Sequence, residues 1–203
     1  MSLLDLAPVI PVVVIDDVAR AVPLARALLA GGLPVIEVTL RTPCATAAIE
    51  RIAAEVPDAI VGAGTVRTPD DVAACVRAGA RFLVSPGTTP DLVEAMLDSG
   101  LPFLPGAATV SEVMALAERG LHEQKFFPAE AAGGVPYLKA LAGPIPDVRF
   151  CPTGGIGPRN APQYLALPNV GCVGGSWLTP ADAIAAGDYG RIEKLAREAA
   201  ALR

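Results

Sequence analysis

The sequence predicts a (β/α)8 TIM barrel, an α/β fold built on a parallel sheet, and three observations support this prediction. Short apolar segments rich in Val, Ile and Phe recur about every 25 residues. Each is followed by a longer Ala- and Leu-rich segment with helical spacing, and eight such units can be counted. Eight parallel strands close into a barrel, whereas an open doubly wound sheet, the alternative, would leave two edges and usually has fewer strands.

The strands are recognised by their nearly continuous apolar character. Such runs are typical of a parallel sheet that is covered on both faces by helices. The eight predicted strands span residues 9–14, 34–39, 59–63, 81–84, 102–105, 123–127, 148–151 and 170–174.

Several of the predicted helices carry start and stop signals. Thr42, Thr68 and Thr89 each precede a proline, which predicts an N-cap followed by a first-turn proline. Glycine is expected where a helix turns left-handed into the next strand, and Gly31, Gly79, Gly100 and Gly120 stand at such places. The predicted helices include residues 17–30, 43–55, 69–78, 90–99, 110–119 and 134–141.

Composition limits the class of protein and its partners. The chain has 203 residues, 52% of them apolar, and a net charge of −5, which excludes a disordered chain. No linker or low-complexity segment interrupts the pattern, so we expect a single compact domain over residues 1–203. Acidic residues outnumber basic ones 21 to 16, and no basic run could follow a phosphate backbone, so a nucleic-acid partner is not expected.

Metal, membrane and secretion signals are weak. The four cysteines form no C-x-x-C pair and His122 is the only histidine, so no zinc-type site is expected and we interpret the cysteines as buried thiols. A site built of carboxylates alone stays open, although no preorganised one is indicated. The longest uncharged stretch, 160–181, is broken by prolines, and residues 1–5 lack a secretory pattern. We therefore expect no membrane partner and a cytoplasmic location.

The carboxyl ends of barrel strands form the usual active-site rim. Lys125 stands in an apolar strand segment, and lysine is scarce in this chain. A desolvated amine near a cation such as Arg41 becomes a neutral nucleophile that can form a Schiff base with a ketone. The alternative is a strand-end lysine whose amine reaches water.

Glu37 is a carboxylate in an otherwise apolar strand. Iminium chemistry needs a group that moves protons, so Glu37 on the same rim as Lys125 is a candidate general acid and base. A structural ion pair with Arg41 is the alternative.

Two glycine pairs follow the seventh and eighth predicted strands, at Gly154-Gly155 and Gly174-Gly175. Barrels commonly bind phosphate there through backbone N–H groups, although tight strand-to-helix turns also need glycine. Thr65 is either an N-cap or a ligand of a substrate carboxylate. His122 is assigned no role, and Trp177 and Phe82 are expected to pack.

Six motifs together resemble one family over essentially the whole chain: EVTLRT at 37–42, GAGT at 62–65, SPG at 85–87, KFFPAE at 125–130, PTGGI at 152–156 and GGSW at 174–177. The chain resembles the bacterial 2-dehydro-3-deoxy-phosphogluconate (KDPG) aldolases, also described as 4-hydroxy-2-oxoglutarate (KHG) aldolases. This resemblance implies a homotrimeric class I aldolase that needs no metal or organic cofactor. It also implies cleavage of the phosphorylated keto acid to pyruvate and glyceraldehyde 3-phosphate.

The resemblance also implies roles for individual residues. Lys125 would be the Schiff-base lysine and Glu37 the general acid and base. The resemblance further suggests that the pyruvyl part is bound by Arg41, Thr65, Pro86 and Phe127, and the hydroxyl and phosphate part by Thr153, Gly154, Gly155, Gly174, Gly175 and Ser176.

One departure from the family pattern bears on the substrate. Several relatives carry a basic residue just after the first strand, where this chain has Asp16-Asp17. KHG, cleaved to pyruvate and glyoxylate, and an unphosphorylated 2-keto-3-deoxy sugar acid therefore stay open as substrates. Outside the aldolases, the alternatives are a phosphosugar isomerase or epimerase and a barrel that only binds a metabolite.

Overall fold

The structure, a computed structural model, describes residues 2–202. Strands and helices alternate along the chain. The strands are β1 (Val9–Val13), β2 (Val35–Thr39), β3 (Ile60–Gly64), β4 (Leu83–Val84), β5 (Phe103–Leu104), β6 (Gly106–Ala107), β7 (Glu123–Phe126), β8 (Arg149–Pro152) and β9 (Val173–Gly175). The helices are α1 (Ala21–Ala30), α2 (Ala45–Glu55), α3 (Pro69–Arg77), α4 (Pro90–Asp98), α5 (Val110–Ala117), α6 (Gly134–Leu141), α7 (Ala161–Leu165), α8 (Ala181–Ala186) and α9 (Tyr189–Ala200). Short 3-10 helices cover Leu3–Asp5 and Val18–Arg20.

The strands form a closed parallel barrel, which confirms the predicted fold. One sheet has the order β5-β4-β3-β2-β1-β9, and the other has the order β6-β7-β8. Isolated parallel bridges, Phe150 with Val170 and Thr153 with Gly174, join β8 to the β9 segment. On the other side the chain runs directly from β5 through Pro105 into β6, and the Pro105 carbonyl accepts the N–H of Lys125 at 2.9 Å. The nine strands thus fill eight positions around the barrel.

The fifth predicted strand, 102–105, differs most from the structure. Only Phe103–Leu104 pairs with β4, and Gly106–Ala107 pairs instead with β7. Pro105 separates the two segments because it has no N–H to donate to a ladder. The change of partner at this proline was not predicted from the sequence.

Two helix signals were wrong, while the others are confirmed. The α2 helix begins at Ala45, because the Thr42 hydroxyl donates to the Ile15 carbonyl and does not cap the helix. The Thr68 and Thr89 hydroxyls do cap α3 and α4, where they accept the N–H of Asp71 and Leu92.

The glycine after α1 serves a purpose other than the predicted left-handed turn. Gly31 has a φ of −76°, and Gly32 adopts the left-handed conformation at +92°. A Cβ on Gly31 would lie 2.4 Å from the Ala196 Cβ, so Gly31 lets α9 approach the end of α1. The left-handed turn is confirmed at the three other positions: Gly79, Gly100 and Gly120.

The core fills the barrel and the layer between sheet and helices. Phe126 packs edge-on against Phe150 at 6.4 Å between ring centres, and Phe82 is fully buried against Gly62. Cys75, Cys151 and Cys172 are buried as expected, whereas Cys44 is only half-buried, so that part of the expectation was wrong. Within residues 2–202 no helix is long and apolar enough to cross a membrane.

Candidate active site

A cavity of about 320 Å³ opens at the carboxyl ends of the strands, where the barrel fold was expected to place its site. Ten of the twelve predicted site residues line it. They are Arg41, Thr65, Pro86, Lys125, Phe127, Thr153, Gly154, Gly155, Gly174 and Ser176. Val12 and Ile156 also line the cavity, and the sequence argument missed both because apolar residues there carry no chemical signal.

Lys125 reaches the cavity from β7 and is only 5% exposed. Its Nζ lies 5.4 Å from the centre of the Phe127 ring, a cation–π distance, and 3.3 Å from Glu37 Oε1. The amine therefore does not reach outward to water, as the alternative interpretation required. It lines the cavity beside a carboxylate that can take up or return a proton.

Glu37 lies on β2 behind the lysine and is 2% exposed, so it does not line the open cavity. The ion pair expected as an alternative, with Arg41, is not formed among residues 2–202, because Lys125 is the partner of Glu37. Buried charges of this kind are tolerated only when they are paired, and this pair meets that condition.

Gly64 makes room for the Glu37 carboxylate. A Cβ on Gly64 would lie 2.0 Å from Glu37 Oε1, far inside contact distance. The register pairs Glu37 with Gly62 on β3, two residues before Gly64. The sequence argument included Gly64 in a motif but gave it no role. The close approach depends on how the strands pair, which no local pattern reveals.

Arg41 and Thr65 stand together at the rim. Arg41 Nε donates to Thr65 Oγ1 at 3.5 Å. Thr65 has a φ of +60°, a left-handed conformation that is unusual for a non-glycine residue and that concentrates at functional sites. Thr68 caps the next helix, so the N-cap role that was open for Thr65 is wrong. The guanidinium and the hydroxyl are both suited to bind a carboxylate.

The turn after β8 has a left-handed backbone at two successive residues. Gly154 and Gly155 have φ values of +107° and +77°. On the neighbouring segment Gly174 pairs with Thr153, and it has no room for a side chain because a Cβ there would lie 2.2 Å from Thr153 Oγ1. Gly175 does not line the cavity, and its α-carbon faces the Trp177 ring, 1.8 Å from a built Cβ.

A second cavity, of about 330 Å³, adjoins the first and shares Val12 and Ser176 with it. Asp16 and Arg20 both line this space, and Arg20 Nη1 lies 3.2 Å from Asp16 Oδ1. Arg20 Nε also lies 3.7 Å from Asp17. The acidic pair noted in the sequence is therefore partly neutralised by one guanidinium.

The described chain contains no metal-type cluster. Between residues 2 and 202, no group of three or more His, Cys, Asp and Glu side chains is placed to hold a metal ion. His122 Nδ1 lies 3.1 Å from Asp147 Oδ2, and His122 is not among the residues of the main cavity.

Comparison with known proteins identifies the family of the chain. The family model of KDPG and KHG aldolases matches residues 1–195. The chain belongs to this aldolase family. The resemblance noted in the sequence is thereby confirmed.

Relatives within the aldolase family match over nearly the full length. The KHG/KDPG aldolase of Escherichia coli (strain K12) is 59% identical over 198 residues, which cover 98% of this chain and 93% of the relative. The 2-dehydro-3-deoxy-phosphogluconate aldolase of Dickeya dadantii is 57% identical, and the match covers 98% of this chain and 94% of the relative.

A solved structure matches the fold closely. The KDPG aldolase of Legionella pneumophila, with pyruvate captured at low pH as a covalent carbinolamine intermediate, superposes with a TM-score of 0.96. It is 50% identical, and the match covers 98% of this chain and 96% of that one.

A second solved structure holds a phosphorylated ligand. The 2-keto-3-deoxy-6-phosphogluconate aldolase of Zymomonas mobilis ZM4, determined with 3-phosphoglycerate, matches with a TM-score of 0.92. It is 51% identical, and the match covers 98% of this chain and 94% of the Zymomonas chain.

Proposed function

We propose that this protein is a class I aldolase that cleaves 2-dehydro-3-deoxy-6-phosphogluconate to pyruvate and glyceraldehyde 3-phosphate through a Schiff base on Lys125. The observation that carries this proposal is the buried Lys125 amine in the lining of the cavity, 3.3 Å from the Glu37 carboxylate. The Legionella relative, with pyruvate bound as a covalent carbinolamine, supports the same type of chemistry.

The reaction starts with transfer of the ammonium proton of Lys125 to Glu37. The neutral amine then attacks the C2 ketone of the substrate to give a carbinolamine. Protonation of its hydroxyl, with Glu37 as the acid, releases water and leaves a protonated imine. This imine is the electron sink of the reaction, so the proposed chemistry uses no metal and no organic cofactor.

Cleavage follows from the charge on the imine nitrogen. Glu37, directly or through a water molecule, removes the proton of the C4 hydroxyl. The C4 oxygen forms the aldehyde, the C3–C4 bond breaks, and its electron pair moves to C3 as the imine becomes an enamine. Protonation of C3 restores the imine, and water then releases pyruvate and regenerates the Lys125 amine.

The two ends of the substrate need different groups. We assign the pyruvyl carboxylate to Arg41 and Thr65, because a guanidinium and a hydroxyl at one rim supply charge-assisted hydrogen bonds. Pro86 and Phe127 form the apolar wall around the reacting carbons. Thr153 is assigned to the substrate hydroxyls, since its side chain is buried at the cavity beside Gly174.

The phosphate is assigned to the glycine turns, namely Gly154, Gly155, Gly174, Gly175 and Ser176. Glycine lets a backbone N–H approach an anion closely, which supports this assignment. The Zymomonas relative determined with 3-phosphoglycerate supports a phosphorylated ligand class. Gly175 does not line the cavity, and its α-carbon faces Trp177, so only its backbone is available for this role.

A second substrate is favoured by one observation. The Asp16 carboxylate lines the adjoining cavity, Asp17 is its neighbour in the chain, and both are paired with the same guanidinium, that of Arg20. They would weaken the binding of a doubly charged phosphate. KHG, which lacks a phosphate and gives pyruvate and glyoxylate, is therefore the second candidate, and an unphosphorylated 2-keto-3-deoxy sugar acid is the third.

We also propose a homotrimer and a cytoplasmic location. Large apolar side chains are exposed on three successive outer helices, at Val76 on α3, Leu97 on α4, and Val110 and Met114 on α5. Such exposure favours burial against another copy of the chain. A cytoplasmic location is consistent with a phosphorylated substrate, which cannot cross a membrane unaided.

The test of the mechanism is chemical trapping. Borohydride with pyruvate should attach a reduced pyruvyl group to the Lys125 peptide, as measured by mass spectrometry. Lys125→Met should abolish the adduct, while Lys194→Met on the exposed surface should keep it. An adduct that is absent from wild-type Lys125 would overturn the proposal and favour the isomerase or metabolite-binding alternatives.

The substrate is tested separately. Cleavage of KDPG, its unphosphorylated analogue and KHG is followed by coupling pyruvate release to a dehydrogenase. The largest kcat/KM for KDPG is the expected result. A larger value for KHG would make the second substrate the correct one.

A further inference from the structure

Three successive carbonyls of the turn after β8 are each held by a donor from outside the turn. The Ala129 N–H donates to the Thr153 carbonyl at 2.8 Å, and the Glu130 N–H donates to the Gly154 carbonyl at 3.1 Å. The Gly155 carbonyl accepts a bond from Asn160 Nδ2 at 3.1 Å. The orientation of three consecutive peptide planes is therefore fixed.

These hydrogen bonds also determine where the N–H groups of the turn point. In a trans peptide unit the C=O and the N–H point in opposite directions. The N–H groups that share these peptide planes belong to Gly154, Gly155 and Ile156, and all three residues line the main cavity. None of Ala129, Glu130 and Asn160 lines it, so the N–H groups are directed away from the residues that hold the carbonyls.

The side chain of Glu130 supports the same turn from behind. A Cβ on Gly155 would lie 2.6 Å from Glu130 Cγ and 2.8 Å from its Cβ, so the backbone of Gly155 rests on this side chain. The Glu130 carboxylate in turn accepts a hydrogen bond from the Tyr164 hydroxyl. Tyr164 comes from α7 and is fully buried, so Glu130 is fixed at its carboxylate as well as at its backbone.

The Tyr164 hydroxyl is held in its protonated, donating form. Burial, followed by the hydrogen bond to Glu130, raises the pKa of Tyr164 above its ordinary value. Gly134 leaves space for this contact, since a Cβ there would lie 3.1 Å from the Tyr164 hydroxyl.

The Asn160 side chain makes two hydrogen bonds to the backbone at the end of the turn. Its Oδ1 accepts the N–H of Gly157 at 2.8 Å, while its Nδ2 holds the Gly155 carbonyl. One side-chain amide therefore bridges two backbone groups and closes the loop between them.

We infer that Glu130, anchored by Tyr164, and Asn160 are positioning residues for the phosphate of the substrate. They act by fixing the peptide planes of the 153–155 turn, whose N–H groups would bind the phosphate. The inference rests on the proposed function, because it concerns the groups that hold the proposed phosphate site in place. None of the three residues lines the main cavity. They preorganise N–H donors that would otherwise rotate toward other acceptors.

The experiment compares two substrates that differ only in the phosphate: KDPG and 2-dehydro-3-deoxygluconate. The substrate ratio is kcat/KM for KDPG divided by kcat/KM for 2-dehydro-3-deoxygluconate. In Tyr164→Phe, Glu130→Ala and Asn160→Ala this ratio should fall by about tenfold, which is the scale of one or two lost hydrogen bonds. Most of the change should lie in the KM for KDPG. Glu130→Gln retains an acceptor for the Tyr164 hydroxyl and should restore most of the ratio.

Tyr137→Phe is the matched control. It also removes a tyrosine hydroxyl near β7, but within residues 2–202 no hydrogen bond from that hydroxyl is found, and its ring stacks on Phe126. Its substrate ratio should equal that of the wild type. Thermal unfolding of every variant separates a loss of stability from a loss of phosphate binding.

The possible outcomes are distinct from those of the proposed function. Borohydride trapping of pyruvate on Lys125 should be unchanged in all variants, and its absence from the wild type would overturn the aldolase mechanism instead. A lower melting temperature with an unchanged substrate ratio would overturn the positioning role. So would an equal loss of kcat/KM for both substrates.

Discussion

Lys125 Nζ and Glu37 Oε1 lie 3.3 Å apart inside the barrel, although 88 residues separate them in the chain. Their strands, β7 and β2, occupy positions on opposite sides of the barrel, four strands apart. Each side chain therefore points inward, and the two charges meet near the barrel axis. The amine and the carboxylate depend on one another for charge balance as well as for proton transfer.

Glu37→Gln should retain the fold but lose most of the activity. The amide can still accept a hydrogen bond from Lys125 but cannot carry a proton between the intermediates. We expect kcat to fall by about 10²- to 10⁴-fold, the usual contribution of a general acid and base. Steady-state cleavage of the keto acid measures this, with Glu50→Gln on the exposed side of α2 as the control. Full activity of Glu37→Gln would rule out its proposed role.

Removing only one member of the pair should destabilise the protein. Lys125→Met leaves the Glu37 carboxylate buried without its partner, and we expect a loss of about 3–5 kcal/mol in the free energy of unfolding. The double variant Lys125→Met, Glu37→Met should recover much of that loss, because two apolar side chains of similar volume need no partner. Urea unfolding of the four proteins gives the coupling energy. Additive losses would contradict the pairing.

Gly64→Ala should impair the site through one methyl group. The new Cβ would lie 2.0 Å from Glu37 Oε1, so the carboxylate has to move away from Lys125. We expect about a 10²-fold loss of kcat, in line with a displacement of about 1 Å in a catalytic group. Gly143→Ala is the control, because its Cβ would meet no atom within 4 Å. If Gly64→Ala were as active as Gly143→Ala, catalysis would not depend on the position of the Glu37 carboxylate beside Lys125.

The fold was predictable because barrel strands and helices differ in period and length, and these differences lie in local sequence. The pairing of strands and the partners of side-chain hydrogen bonds were harder to predict. The exchange of partner at Pro105 and the hydrogen bond from the Thr42 hydroxyl to Ile15 both depend on segments far away in the chain. A threonine before a proline has the chemistry of a cap, yet at Thr42 a distant carbonyl competes for the hydroxyl.

The site was predictable where unusual chemistry stands in an apolar strand, as for Lys125 and Glu37. Their mutual distance was not predictable, because it depends on the closure of the barrel. Residues that act through close approach or support were missed for the same reason. Gly64 and the Glu130–Tyr164 pair matter through close approach and support, and these properties appear only when the strands and loops are assembled.

The proposed trimer can be tested on the exposed apolar helices. Light scattering after size-exclusion chromatography should give three times the chain mass of 20.7 kDa. Met114 is 51% exposed and Leu97 is 40% exposed. The double variant Met114→Lys, Leu97→Lys should lower the measured mass by placing charge in the interface. Glu198→Lys, on the exposed side of α9, should leave the mass unchanged. A wild-type monomer at micromolar concentration would contradict the trimer.

Alkaline pH should destabilise the protein partly through one thiol. Burial, together with the Asp71 carboxylate, raises the pKa of Cys75 to about 12. In the unfolded chain a cysteine ionises near its ordinary pKa of about 8.5. Between these two values the unfolded state loses a proton that the folded state keeps, so the free energy of unfolding falls as the pH rises.

Below the ordinary cysteine pKa the contribution of this thiol to stability is fully present. Chemical unfolding at a series of pH values from about 8 to about 11 should therefore show a steeper decline for the wild type than for Cys75→Ala. Val72→Ala is the matched control, because it removes buried volume from the same helix, α3, without removing a titrating group. Its pH slope should match that of the wild type even though its stability is lower throughout. Identical slopes for wild type and Cys75→Ala would show that the thiol ionises as easily in the folded protein as in the unfolded chain.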